Sequence, residues 1–284
     1  MFDEQEFVIC IYSIILRYYN DLFPKGIRNR GFAPILTDAE ALTIEIVGEY
    51  SGLPNDSAIY DYFRKHYSEW FPNIPSRSTL VRQWNNLWIA KQMIWEAIVG
   101  ESGQSRAPFQ ITDTLPIPVC SLKRAPGSAI FDGDMLCQPD YGCCASKGMK
   151  YYGFKGGIRI SSAGMIVHAQ ILDARPHDIN FIDDLLHGVP AGTTVIGDKG
   201  FISKDRQTEI RDGSHVVLKT PLRQNMKNRP GFVTDRSENR LRQLIETVNG
   251  QLTERFHIQN MKVRKGWTLL AKWYRKILAH TICV

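Results

Sequence analysis

The segment Phe109–Val119 reads FQITDTLPIPV, and every second residue is apolar apart from one aspartate. This alternation predicts a β-strand that buries one face. Asp113 is in register with Ile111 and Leu115 on that face. Burying an unpaired carboxylate costs several kcal/mol, so Asp113 needs a cation, a partner or access to water. It is a candidate functional residue; the alternative is a strand-end aspartate bonded to nearby backbone.

Similar strand patterns continue from residue 105 onwards, with turn residues between them. The expected strands are Phe109–Val119, Tyr152–Ile160, Gly164–Leu172, Thr193–Gly197 and His215–Lys219. Helical periodicity covers Asp178–Leu186, where Asp178 is expected to cap the helix, and Ser237–Arg255. The order of three strands, helix, strand, helix, strand, helix predicts a mixed α/β domain.

Two further carboxylates follow at positions suited to a site. Asp198 comes directly after the expected strand 193–197, where a sheet fixes the backbone and a loop exposes the side chain. Glu246 lies on the polar stripe of the expected helix 237–255. Each has a plainer interpretation, an Asx-turn for Asp198 and a surface pair with Arg242 for Glu246.

Together, Asp113, Asp198 and Glu246 carry more weight than they do separately, because two neighbouring strands and a following helix can bring them to one point. Carboxylates without nearby Cys or His ligands suit Mg²⁺ or Mn²⁺. A pair of such ions about 3.5–4 Å apart stabilises the attacking and leaving oxygens in phosphoryl transfer.

The first hundred residues have helical periodicity over Phe7–Leu22, Leu36–Tyr50, Ile59–Trp70 and Leu80–Val99. The last of these follows a short turn and carries side chains suited to phosphate and base contacts, namely Arg77, Arg82 and Gln83. This pattern permits a helix-turn-helix. A helical bundle with solvated polar side chains is an equally good interpretation.

Charge and composition narrow the choice of partner. The 284 residues carry a net charge of +6, and residues 201–284 hold 17 Lys and Arg against 7 Asp and Glu. A basic excess at one end favours a polyanion, nucleic acid before membrane. Because there is no long apolar run and the N-terminus is acidic, we expect a cytoplasmic protein that does not bind membranes.

The chain resembles the DDE transposases of bacterial insertion sequences, most closely insertion-sequence family 982. The matching stretches are Thr112–Cys120, Tyr151–Lys155, Ala174–Asp178, Ile196–Phe201, Thr220–Met226 and Arg242–Phe256. The resemblance implies a ribonuclease-H-like, retroviral-integrase-like fold over residues 105–284. It also implies a helical DNA-binding domain over residues 1–104.

The resemblance further implies the chemistry. Asp113, Asp198 and Glu246 would be the catalytic, metal-binding triad, holding two Mg²⁺ ions or Mn²⁺ in their place. The reaction would be DNA phosphodiester hydrolysis followed by transesterification. The partners would be the terminal inverted repeats of the element, target DNA and further copies of the chain, with the protein on the nucleoid when bound. Beyond the N-terminal helix, the expected DNA-binding residues are Lys155, Lys199, Arg223, Lys227, Arg229, Arg242 and Arg255.

Two departures from the family keep other functions open. The signature Tyr-x2-Arg-x3-Glu-x6-Lys is met at Arg242 and Glu246, but Asn239 and Thr253 stand at its ends. The apolar helical pattern over 277–284 has no cap, which suggests a truncated copy. The alternatives are a catalytically inactive transposase-derived DNA-binding protein and a metal-dependent nuclease that cleaves DNA without joining it.

Overall fold

A computed structural model describes residues 3–28, 31–134, 137–144, 148–223 and 231–283. The chain forms two compact units. One unit consists of residues 1–98 together with 252–284 and is helical. The other consists of residues 99–251 and contains the sheet.

In the helical unit, capping side chains mark the starts of the first three helices. Its helices are α1 Glu4–Leu22, α2 Asp38–Tyr50, α3 Asp56–His66, α4 Arg77–Asn86, α5 Trp88–Ser102, whose last turn belongs to the other unit, and α9 Gly266–Cys283. At the start of α2 the Thr37 hydroxyl accepts from the Glu40 backbone, and the Glu40 carboxylate accepts from the Thr37 N–H, a capping box. The single helix predicted over 80–99 is instead two helices, α4 and α5, which meet at Leu87.

The C-terminal helix α9 belongs to the helical unit, which differs from the predicted boundary at residue 104. Arg275 of α9 is buried and pairs with Glu45 and Glu49 of α2 at 3.2 and 2.5 Å. Lys276 also pairs with Glu49, at 2.8 Å. Buried charges are stable only when they are paired, so these contacts fix α9 against α2. The apolar pattern near the end of the sequence is thus part of the core of the helical unit.

The second unit is a mixed sheet with helices. Its strands are β1 Phe109–Cys120, β2 Asp140–Cys144, β3 Met149–Ser161, β4 Ile166–Asp173, β5 Thr194–Ile196 and β6 Val217–Lys219. The order is β2-β3-β1-β5-β6, and β4 also pairs with β3. The β1–β3 and β3–β4 pairs are antiparallel, whereas β5 pairs in parallel with both β1 and β6. The predicted mixed α/β, ribonuclease-H-like architecture is confirmed.

Helices follow the strands β4, β5 and β6 in the chain. They are α6 Ile182–Leu185, α7 Lys204–Ser214 and α8 Arg236–Glu254. Leu185 of α6 and Ile210 of α7 join Val195 and Leu218 of the strands in one buried cluster. In the described part of the chain, none of the helices combines the length and apolarity needed to cross a membrane.

Candidate active site

Asp113 lies in β1, and Asp198 lies two residues after the end of the adjacent parallel strand β5. Ile111 of β1 pairs with Ile196 of β5, and each aspartate comes two residues after its member of this pair. Because side chains alternate between the faces of a sheet, the two carboxylates leave the same face side by side. The sequence prediction that these two residues converge therefore agrees with the strand register.

Each carboxylate is oriented by the backbone that follows it. The Asp113 Oδ1 accepts from the Thr114 N–H at 2.8 Å. The Asp198 Oδ1 accepts from the Gly200 N–H at 2.6 Å, in the short 3₁₀ turn Lys199–Phe201. The Asx-turn considered for Asp198 is present, and it leaves the second oxygen of the same carboxylate free to bind a ligand.

Burial and mutual repulsion make this pair electrostatically unusual. Burial, together with the negative charge of the neighbouring Asp198, raises the pKa of Asp113 to about 7. Burial also raises the pKa of Asp198, with Asp178 adding to the effect and the charges of Arg242 and Arg223 opposing it. A concentration of negative charge in a half-buried place is favourable for binding a cation.

Asp178 is a third acidic residue beside the pair, and its predicted role as a helix cap is wrong. The short helical turn Asp178–Phe181 is capped at His177, and the Asp178 Oδ1 lies 2.7 Å from the Lys155 Nζ. A Cβ placed on Gly200 would lie 2.9 Å from both an Asp178 oxygen and an Asp198 oxygen. Gly200 therefore lets the two acidic side chains approach the same stretch of backbone.

Helix α8 contributes different side chains from those expected. The Glu246 side chain is 59% exposed, and its Oε1 lies 3.3 Å from Arg242 Nη2. One turn further along, the Asn249 Nδ2 donates to the Asp113 Oδ2 at 2.8 Å. Among the described residues, no three His, Cys, Asp or Glu side chains are placed to hold one metal ion together.

Asn249 and Asp178 are therefore the site neighbours that sequence reasoning missed. Asn249 lies on the same polar stripe of α8 as Glu246. The sequence favours the carboxylate as the site residue because it is the better metal ligand. Lys155 gave a signal for Asp178, since a lysine inside an otherwise buried strand needs an anion. Lys155 is buried on β3, and its Nζ also donates to the Pro176 carbonyl at 2.6 Å.

The remaining predicted DNA-binding residues have varied environments. In the sheet unit, Lys199 and Arg223 are exposed next to Asp198, and Arg223 donates to the Lys199 carbonyl at 2.8 Å. Lys227 and Arg229 lie outside the described residues. In the helical unit, Arg255 stacks on the Tyr50 ring at 3.8 Å.

The predicted residues of α4 differ in accessibility. Arg77 is exposed and donates to the Ser57 hydroxyl, and Arg82 is exposed. Gln83 is buried and donates to Asp38 at 2.8 Å. Gln83 therefore shapes the core of the helical unit rather than its surface.

The sheet order and the carboxylate pair define a class, the ribonuclease-H-like proteins with an acidic site on the central strands. A family model described as "Transposase DDE domain" matches residues 103–265, more than half of the chain. The chain belongs to this family, which confirms its identification as a DDE transposase of the insertion-sequence type. The placement in insertion-sequence family 982 stays a prediction.

One relative is similar over part of its length. The transposase for insertion sequence element IS1106 from Neisseria meningitidis serogroup B is 29% identical over 113 residues. The similar region covers 38% of this chain and 38% of that protein. No solved structure matches the chain.

Proposed function

We propose that this protein is a DNA transposase that cleaves DNA at insertion-sequence ends and transfers the freed 3′-hydroxyl into target DNA. The observation that carries the proposal is the in-register pair Asp113 and Asp198, in a chain of the transposase family. The similarity to an insertion-sequence transposase supports the choice of substrate. The proposed partners are element ends, target DNA and further copies of the chain, in the cytoplasm on the nucleoid.

The carboxylate oxygens of Asp113 and Asp198 support binding of a hard divalent cation, Mg²⁺ or Mn²⁺, and we propose that two such ions bind. Asp113 and Asp198 would each present a carboxylate oxygen to a metal ion, and Glu246 is the proposed third acidic residue. When bound, two such ions lower the pKa of an attacking water and stabilise the leaving 3′-oxygen. Asn249 would keep Asp113 in place through its amide hydrogen bond.

Basic residues would hold the DNA backbone near this pair. The charges of Arg242 and Arg223 already act on Asp198, so both lie close enough to contact a phosphate next to the carboxylates. Lys199 is exposed in the turn that follows Asp198. Such contacts fix the register of the substrate without reading its sequence.

An inactive DNA-binding protein derived from a transposase is the second candidate. The observation that favours it is the position of Glu246, which is paired with Arg242 and exposed instead of joining the two aspartates. This candidate binds the element ends specifically but does not cleave them.

Cleavage of a labelled duplex carrying the DNA that flanks this reading frame separates the two candidates. We expect wild type with Mg²⁺ or Mn²⁺ to give cleaved 3′-ends and strand-joined product, both lost in EDTA and in Asp198→Asn. Glu246→Gln should also lose both products, whereas Glu254→Gln, an exposed glutamate of the same helix, should keep them. Specific binding without cleavage by wild type would establish the second candidate, and cleavage by Asp198→Asn would contradict the site.

A further inference from the structure

A groove of about 540 Å³ runs along helix α4 in the helical unit. Six residues of α4 between Arg77 and Asn86 line it, together with Trp267 of α9. Within the helical unit, the sequence predicts DNA contacts by α4 and by Arg255. The groove instead joins α4 to a segment that follows it by some 180 residues in the chain.

The segment just before α9 carries three cations that have no ion pair among the described residues. Lys262, Arg264 and Lys265 are exposed, and none has an ion pair with any residue that the structure describes. The cations further along α9 differ, because Lys272 pairs with Asp56 and Arg275 and Lys276 pair with buried glutamates. The segment before α9 therefore carries positive charge that can bind an external anion.

Neither wall of the groove contributes a carboxylate. No Asp or Glu occurs from Trp70 to Trp95, or from Arg255 to the end of the sequence. Asp56 is the acidic residue next to Ser57, which bonds Arg77, and it is already paired with Lys272 and Arg275. The charge of the groove is thus complementary to a polyanion such as the DNA backbone.

Trp267 gives the groove a rigid apolar surface. Its side chain is 43% exposed, and its ring lies edge-on to the Trp88 ring at a centroid distance of 5.6 Å. Across the groove, Arg82, Asn85 and Asn86 present the donors and acceptors that recognise base edges in the major groove. A flat apolar ring next to cations, facing a polar helix, suits a duplex whose sugar-phosphate backbone packs on the ring.

We propose that duplex DNA occupies this groove, with α4 directed at the bases and Lys262, Arg264, Lys265 and Trp267 bound to the adjacent backbone. The DNA-binding surface is therefore composite, made from the N-terminal and the C-terminal parts of the chain. The proposal rests on the transposase function proposed above for the identity of the DNA, but not for any chemical step.

Equilibrium binding to a fluorescent duplex from the flanking DNA tests the proposal, with the full chain in EDTA so that no cleavage occurs. Arg264→Ala/Lys265→Ala should weaken binding about tenfold at 0.15 M salt. The slope of log K against log salt should become less steep by about 1.8, because each phosphate contact contributes about 0.9 to its magnitude. The matched control is Lys123→Ala/Arg124→Ala, two adjacent exposed cations of the sheet unit, which should change neither quantity.

Trp267→Ala provides a second measurement that does not change charge. It should weaken duplex binding by about threefold to tenfold and leave the salt slope as in wild type, since stacking and packing contacts are not ionic. Circular dichroism of each variant establishes that it is folded. Arg264→Gln/Lys265→Gln, which keeps side-chain length, replaces the alanine variant if that variant unfolds.

Three results would overturn the proposal. The first is equal duplex affinity for wild type and Arg264→Ala/Lys265→Ala. The second is an equal loss of affinity in that variant and in its control variant. The third is a wild-type affinity for single-stranded DNA of the same sequence that equals its affinity for the duplex. Cleavage assays separate this inference from the transposase function. If wild type binds DNA through these residues but does not cleave it, only the proposed transposase function is contradicted. If wild type cleaves DNA and the variants bind it normally, only the composite surface is contradicted.

Discussion

At the residue scale, Asp113 has an environment unlike that of an ordinary strand residue. Its carboxylate accepts from the Thr114 N–H and from Asn249, and Asp198 follows the end of the next strand. The buried amide oxygen of Asn249 has no hydrogen-bond partner among the described residues. A protonated Asp113 relieves the repulsion between the two acids, so the protonation state of this group affects the stability of the fold.

The pH dependence of stability tests this environment. Without metal, the pKa of Asp113 is raised to about 7, above the value of about 3.9 expected in the unfolded chain. The native state therefore binds the proton more tightly, and the resulting stability is full below about pH 4 and is lost as the pH rises through 7. In EDTA, we expect the urea unfolding free energy of wild type to fall by about 2–4 kcal/mol relative to Asp113→Asn between pH 4 and pH 8.

The exposed Asp205 is the matched control for this titration. Asp205→Asn should follow the wild-type pH curve. If the Asp113→Asn curve also runs parallel to wild type, Asp113 does not have a raised pKa in the folded protein.

Gly200→Ala should impair the site without unfolding the protein. The added Cβ meets side-chain oxygens of Asp178 and Asp198 at 2.9 Å, so the two carboxylates must move away from the turn. We expect cleavage to fall by about tenfold or more, because a small displacement of Asp198 would misplace a proposed catalytic group. The loss of stability should stay within about 1–3 kcal/mol.

Gly213→Ala in α7 is the matched substitution, because nothing lies within 4 Å of its added Cβ. It should leave cleavage unchanged and stabilise the helix by about 0.5–1 kcal/mol. Equal cleavage by the Gly200→Ala and Gly213→Ala variants would show that the turn does not position Asp198.

At the scale of elements, helix α9 is held by an ion network as well as by apolar packing. Trp273, Ile277 and Leu278 are buried in the helical unit. Arg275 and Lys276 lie between them in sequence and pair with Glu45 and Glu49 of α2. Removing one cation leaves buried carboxylates without compensation, which is the costly way to break such a network.

Arg275→Met is therefore expected to destabilise the protein by about 3–5 kcal/mol, as measured by urea unfolding at pH 7. Arg236→Met removes the same charge from an exposed position at the start of α8 and should leave the urea midpoint unchanged. Comparable midpoints for the two variants would mean that the network does not stabilise α9.

The elements also show what the sequence could predict. The Phe109–Val119 alternation located β1 almost to the residue, because period-two patterns in a buried strand are unambiguous. The strand β2, Asp140–Cys144, was not predicted, since five residues with two cysteines and a glycine have no clear alternation. The break between α4 and α5 was missed because both helices are apolar at helical spacing, and only tertiary packing separates them at Leu87.

The candidate site was predictable where it depends on strands. The register of β1 and β5 brings Asp113 and Asp198 together, as expected for carboxylates of two neighbouring strands. The contribution of α8 was less predictable, because the rotation of a helix decides whether Glu246 or Asn249 faces the sheet. Two side chains three residues apart lie on nearly the same helical face, so periodicity alone does not choose between them.

At the scale of the whole molecule, the helical unit is discontinuous in sequence. Residues 252–284 complete a core whose other members lie in residues 1–98. The sequence places these C-terminal residues with the sheet instead, because chain neighbours are the simplest guess when no contacts are known. The observed division explains why a short basic segment late in the chain can lie beside α4.

A fragment of residues 1–98 should therefore fold poorly alone. It keeps Glu45 and Glu49 but lacks their partners Arg275 and Lys276, and it also lacks the buried Trp273. We expect weak helical circular dichroism without a cooperative melt, and recovery of both when a peptide of residues 252–284 is added. A cooperative melt of the fragment alone would contradict the composite core.

Metal binding by the aspartate pair tests the central claim most directly. Titration of Mn²⁺ at pH 8, followed by the loss of its free electron paramagnetic resonance signal, should show binding to wild type that is weakened by about tenfold or more in Asp113→Asn and in Asp198→Asn. The exposed-site variant Asp205→Asn should bind as wild type does. Wild-type affinity for Mn²⁺ in both Asp113→Asn and Asp198→Asn would contradict the assignment of these strands as the catalytic centre.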